Sequence, residues 1–399
     1  MAGALPDGEP VPSDGSLPDE ATREVGKNGF AVYVHVPFCA SRCGYCDFNT
    51  YTASELGGGA SRDEYAETVL AELALAARVI EPGPVDTVFV GGGTPTLLSA
   101  GDLGRILEGI DRTWGLAPGA EVTTEANPES VDPSYLRQLR SAGFTRISLG
   151  MQSAAANVLR VLDRKHTAGR APQAAIEARE AGFEHVNLDL IYGTPGEAPD
   201  DFERSLRAVV EAGVDHVSAY ALIVEDGTRM AGRMRRGELP YPSDDVAADR
   251  YLAAEAALSG AGFRWYEVSN WARPGGECRH NLLYWTGADW WGLGPGAHSH
   301  VGGVRWWNVK HPSAYAKRLA EGMSPGQARE LLTDADRHME DVMLRVRLRD
   351  GIPLDRVDAT GAAQALAGGL LDPGAYAEGR LVLTLRGRLL ADAVVRDVL

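Results

Sequence analysis

One rhythm constrains this chain more than any other feature. Short β-branched runs alternate with amphipathic stretches, and a repeated three-residue phrase closes the helices. The runs are Ala31–Val36, Val85–Val90, Glu121–Glu125, Arg146–Leu149, His185–Leu190 and Val217–Leu222. Ala142-Gly143-Phe144, Ala181-Gly182-Phe183 and Ala212-Gly213-Val214 each stand just before such a run. Glycine at a helix end takes the left-handed conformation that stops the helix, and the next apolar residue packs back on it. Between the runs, Tyr65, Val69, Leu73 and Ala76 share one helical face. Ser61 with Glu64 forms a capping box that starts this helix, and Asp132-Pro133 reads as an N-cap with proline at the first helical position. Strands joined by helices through short turns make a parallel sheet. The pattern predicts an α/β fold and leaves open whether the sheet closes as a barrel.

The remainder reads less regularly. At 399 residues the chain exceeds one ordinary core, so a large domain with smaller ones is expected. Residues 1–28, rich in Pro, Gly, Asp and Glu, read as a disordered, solvated tail without a secretory signal. Residues 29–235 carry the β/α rhythm. Residues 236–332 form an extension whose Trp-, Gly- and His-rich stretch, Trp265 to Trp307, has loop-like composition. Over residues 333–399, Met339, Val342, Met343 and Val346 fall at helical spacing, and a β-hairpin is expected around Leu381–Leu385. A small, mainly helical, winged-helix-like module is predicted there. With 39 basic against 55 acidic residues the formal net charge is −16, which argues against nucleic acid as a partner. The longest apolar stretches are strand-length, too short to span a membrane, and a cytoplasmic protein is expected.

The sharpest chemical signal is Cys39-Ala-Ser-Arg-Cys43-Gly-Tyr-Cys46, directly after the first run. Thiolates are soft ligands suited to iron–sulfur clusters, and one loop can bring three of them around a cubane, leaving the fourth iron open. Structural zinc is the rival, but it needs a fourth ligand and usually a second close pair. The remaining cysteine, Cys278, stands alone. Gly91-Gly92-Gly93-Thr94-Pro95 follows the second run. Glycine there admits a close ligand, although a tight turn needs glycine equally well.

Together these motifs resemble those of the radical-SAM superfamily. The resemblance implies an incomplete (β/α)6 TIM-like barrel. Its [4Fe–4S] cluster would sit on Cys39, Cys43 and Cys46, with the open iron chelating S-adenosylmethionine (SAM). Further phrases narrow the likeness: Tyr33-Val-His35-Val-Pro37-Phe38-Cys39, Thr124-Glu125-Ala126-Asn127-Pro128, Ser148 to Ser153, Asp189 to Gly193, and Gly292 to Ser299. They resemble the family of oxygen-independent coproporphyrinogen III dehydrogenase and its haem-chaperone branch, HemW. The family's SAM contacts fall on Tyr33, Tyr45, Gly92, Gly93, Thr94, Glu125, Gln152, Arg164 and Asp189. Glu125, Gln152 and Asp189 belong to successive strand ends, where ligands collect in α/β folds.

Three features point to the chaperone branch. The dehydrogenase carries a further cysteine two positions after the third ligand, where this chain has Phe48, and its N-terminal region is longer. His280-Asn281-Leu282-Leu283-Tyr284-Trp285 resembles the chaperone's haem-binding HNxxYW motif and makes His280 the candidate haem ligand. A core histidine packed with Tyr284 and Trp285 is the alternative on the residues alone. Cys278, His298 and His300 receive no role. The resemblance therefore implies a haem chaperone that delivers haem to membrane-bound haem proteins, served by a reductant protein or an NADH-linked electron donor. The alternative is SAM-dependent radical decarboxylation of coproporphyrinogen III to protoporphyrinogen IX.

Overall fold

A computed structural model describes residues 8–56 and 61–399. All six expected runs are strands: β1 (Phe30–Val36), β2 (Val85–Gly92), β3 (Leu116–Ala126), β4 (Arg146–Gln152), β5 (His185–Tyr192) and β6 (His216–Ala221). They pair in parallel in sequence order. Helices pack between them, with Tyr65, Val69, Leu73 and Ala76 all buried. Ser61 caps its helix by accepting from the Glu64 amide, and Asp132 caps the next from Tyr135. Gly143 and Gly182 sit at φ 107° and 91°, and the phenylalanines after them are 0% and 6% exposed, so the stops pack back as the phrase predicts.

The sheet is the expected incomplete, open (β/α)6 barrel, extended on both sides. β6 pairs antiparallel with β8 (Asn270–Ala272), which pairs with β7 (Arg264–Glu267). On the other flank β1 pairs in parallel with β9 (Asp289–Leu293), followed by β10 (His298–Val301), β11 (Val304–Asn308) and β12 (Gly326–Leu331). The stretch read as loop-like between Trp265 and Trp307 therefore carries five strands and the helix Arg279–Trp285. Most of its tryptophans are buried, and Trp291 and Trp306 meet edge to face at 4.8 Å. Each strand, at three to five residues, is too short to show period-two alternation.

Residues 9–28 differ from the solvated tail expected of them. Glu9 exchanges backbone hydrogen bonds with Arg329 on edge strand β12, at 2.8 Å each, and Ala21 of the helix Asp19–Arg23 is buried. An edge strand offers unpaired backbone groups to any segment, whatever its side chains, so composition did not foretell this docking. Residues 1–7 lie outside the described residues. The C-terminal part has its own core around Val342, Val346, Ile352, Ala362, Leu381 and Val394. The expected local hairpin is absent there. β14 (Arg380–Leu381) pairs instead with β13 (Ile352–Pro353), and Leu385–Leu389 is helical.

Candidate functional site

The carboxyl ends of the parallel strands converge on one cavity of ≈ 340 Å³. Cys39, Cys43 and Cys46 all line it. Their loop is pinned by backbone bonds at its start and within it: Cys39 N to Tyr51 O at 3.0 Å and Gly44 N to Leu162 O at 3.0 Å. Burial raises the Cys39 thiol and pushes Cys46 up to about 11, the latter against an opposing amide donor at Phe48. A metal that takes these sulfurs as thiolates must therefore displace protons. Among the described residues no three Cys, His, Asp or Glu side chains are gathered tightly enough for a single metal ion. A cubane makes a different demand, because each thiolate takes its own iron. Gly93 forms the cradle behind the loop: a Cβ there would press on the Phe38 carbonyl and stand 3.1 Å from Cys39 Sγ.

Eight of the nine residues expected to contact SAM line the same cavity: Tyr45, Gly92, Gly93, Thr94, Glu125, Gln152, Arg164 and Asp189. Glu125 accepts from the Gly92 amide at 2.9 Å, and burial together with Asp189 raises its carboxyl to about 7. Arg164 reaches Cys43 Sγ at 3.5 Å and the Gly150 carbonyl at 2.9 Å, while its Nε is buried without a partner. Gln152 adopts φ 66° at an irregularity in β4, an uncommon backbone state for a residue with a side chain. Tyr33 is the exception. It does not line the cavity and is bonded to His35 Nδ1 at 2.9 Å and stacked on Phe89. The donor chemistry fits the implied group: soft sulfurs line the cavity together with carboxylates and a guanidinium whose charges suit an amino acid moiety.

His280 is placed elsewhere. Its ring is 1% exposed, with Nδ1 2.7 Å from Thr87 Oγ1 and Nε2 2.8 Å from Tyr284 Oη. Burial lowers its pKa to about 3. With both nitrogens engaged, the ring offers iron no lone pair in this conformation. This is the arrangement of the core-histidine alternative, and a haem iron would have to displace Thr87 or Tyr284 to reach the ring. Cys278 is buried beside Glu121, and its thiol donates to that carboxylate at 3.5 Å. His298 is exposed against Trp307, and His300 packs on Trp290 near Asp289.

Comparison with known proteins agrees with this geometry. Residues 33–209 match the model of the Radical SAM superfamily. A protein named heme chaperone HemW from Mycobacterium tuberculosis is 59% identical over 373 residues, covering 93% of this chain and 95% of its own length. The chain belongs to the HemW family of radical-SAM proteins. The HemW protein of Synechocystis is 35% identical over 346 residues, 84% of this chain and 83% of its own. Among solved structures, the coproporphyrinogen III oxidase HemN from Escherichia coli, described as a radical SAM enzyme, superimposes with a TM-score of 0.81. It covers 96% of this chain and 94% of its own at 24% identity, a likeness of fold. Membership of the radical-SAM superfamily implies SAM and an iron–sulfur cluster. No helix among the described residues is long and apolar enough to cross a membrane.

In this HemW-family chain the sequence reading gave no cavity role to several residues that bear on the site. Ser148, from a quoted phrase, and Asn187, behind the cavity, hold Asp189 by hydrogen bonds of 3.0 Å and 2.6 Å. Tyr220, Ile223 and Lys165 line the cavity, and so does Phe48, read in the sequence only as the place of a missing cysteine. Tyr220 and Ile223 sit at and just beyond the end of β6, so the strand-end rule that singled out Glu125 could have found them too.

Proposed function

We propose that this chain is a haem chaperone. It holds a [4Fe–4S] cluster on Cys39, Cys43 and Cys46 with SAM beside it, and acts in the cytoplasm to pass haem to membrane-bound haem proteins. Residues 29–235 serve as the cofactor-holding part, 236–332 as a family-specific extension and 333–399 as a helical module. A reductant protein or an NADH-linked donor supplies electrons. The carrying observation is that three thiols share one cavity with Glu125, Arg164 and Asp189, while Phe48 stands where the dehydrogenase has a further sulfur. The haem part is supported by near-full-length likeness to proteins named heme chaperones.

When bound, SAM supplies a sulfonium whose C–S bond can accept an electron from the cluster. The residues of this chain bind and orient. Arg164 is built to pair with a carboxylate, Glu125 and Asp189 to accept from an ammonium or ribose hydroxyls, and Gly92 and Gly93 to let backbone groups approach. Buried Ile191 and Leu222 keep one wall dry.

Anaerobic haem titration, followed by the Soret band, tests the proposal, with coproporphyrinogen III plus reductant as the parallel assay. Stoichiometric haem binding without protoporphyrinogen formation is expected. Robust turnover to protoporphyrinogen IX would move the chain to the dehydrogenase reading.

A further inference from the structure

Behind the cavity stands a column of buried polar side chains that do not line it. Asn187 and Asp189 are two apart on β5 and share one face, and His216 is the cross-strand neighbour of Asn187 on β6. Asn187, His216 and Tyr266 are 4%, 1% and 2% exposed. Asn187 Nδ2 donates to Asp189 Oδ1 at 2.6 Å, and Asn187 Oδ1 is 2.7 Å from His216 Nδ1. His216 Nε2 is 2.8 Å from Tyr266 Oη, which accepts from the Cys278 amide at 3.3 Å. Cys278 is the N-cap of the helix Arg279–Trp285, so the column runs from that helix to the cavity.

One direction of donation satisfies every link. Asn187 must present its NH2 to Asp189, because its carbonyl turned that way would face a carboxylate. The carbonyl then accepts, so His216 carries its proton on Nδ1. Burial holds the ring pKa well below its ordinary value, which leaves the ring neutral and Nε2 free to accept from the Tyr266 hydroxyl. Every donor thus points towards Asp189, and hydrogen bonds aligned in a chain polarise one another. Buried polar groups need partners wherever they lie, but this column ends on an ionisable group that lines the cavity. Burial raises the Asp189 carboxyl, and donors from Ser148, Ser218 and Asn187 oppose it.

We infer that His216, fixed by Tyr266, is a positioning residue for SAM: it locks the Asn187 amide, which holds the Asp189 carboxylate as an acceptor for the ligand's hydroxyl or ammonium donors. The inference rests on the reading of Asp189 as a SAM contact and extends it to residues that do not line the cavity. Without the His216 proton the amide is free to turn, and the carboxylate loses its donor.

The test is SAM binding to the full chain with its cluster reconstituted, measured anaerobically by equilibrium dialysis. Iron and sulfide content reports that each variant is folded and loaded. Asp189→Asn tests the contact itself and is expected to weaken SAM binding about tenfold or more. His216→Phe is expected to do nearly as much and Tyr266→Phe to weaken binding by several-fold. His216→Asn, whose amide can place a donor near the position of Nδ1, is expected to restore it. In the Asp189→Asn background His216→Phe should add nothing, since residues in one hydrogen-bond network are not additive. Where His216→Phe fails to load its cluster, Tyr266→Phe decides. Losses that add, or a His216→Asn as weak as His216→Phe, would reduce the column to packing and overturn the inference. Wild-type affinity in His216→Phe and Tyr266→Phe, with loss in Asp189→Asn, would overturn it and leave the contact standing. Wild-type affinity in Asp189→Asn would overturn the contact and the inference together.

Discussion

The Arg146 guanidinium donates to the Glu121 carboxylate at 2.9 Å, with side chains only 2% and 4% exposed. Against the burial that opposes it, Arg146 and the amides of His280 and Arg279 hold the Glu121 carboxyl below its ordinary value. This pair fastens the helix Arg279–Trp285 to the barrel, since the His280 amide meets Glu121 at 3.0 Å. Removing one member leaves a buried charge unmatched. Glu121→Leu should therefore cost about 3–5 kcal/mol in chemical denaturation, and limited proteolysis should cut near residue 280 first. The depressed carboxyl contributes stability that is present above its unfolded pKa and is lost as pH falls through the folded value.

His280 titrates in the same direction. Its folded pKa of about 3 lies below the ordinary 6.5, so the unfolded chain takes the proton first as pH falls. Its contribution to stability is complete above about pH 6.5 and declines towards pH 3. A His280→Gln variant should flatten this part of the stability profile, and the ring's NMR signals should not titrate between pH 7 and 4. Thr87→Val, which strands Nδ1, should cost about 1–3 kcal/mol.

Glu72 works with the opposite sign. Burial raises its carboxyl to about 7, against donors from Tyr315, the Gly294 amide and Asn308. The folded state keeps this proton longer than the unfolded state, so stability falls as pH rises from about 4.5 to 7. Glu72→Gln should remove that slope. Thermal melts of both proteins across this window measure it directly.

Gly93 gives a test confined to the cysteine loop. Gly93→Ala places a methyl against the Phe38 carbonyl and Cys39 Sγ. Iron bound after reconstitution should fall sharply, while the far-ultraviolet circular dichroism stays that of the wild type.

Legibility followed the physics of each signal. The six central strands were readable because buried parallel strands are continuous apolar runs and their helices end on glycine. The cysteine loop was readable because its spacing has few other uses. The flanking strands β9 to β12 were not, because their tryptophans and glycines take strand form only through pairing with distant partners. His280 shows a second limit: a motif names a residue type but not the direction of its ring, and here the ring points at Thr87 and Tyr284. Tyr33, likewise, belongs to the same strand as the loop's start but is not among the residues lining the cavity.

The central claim is that three thiols of one loop hold an iron–sulfur cubane. Anaerobic reconstitution with iron and sulfide, followed by metal and acid-labile sulfide analysis, measures it most directly. About four irons and four sulfides per chain are predicted, lost in Cys39→Ala, Cys43→Ala and Cys46→Ala and retained in Cys278→Ala. Zinc without labile sulfide, or iron content untouched by the three loop substitutions, would contradict the account.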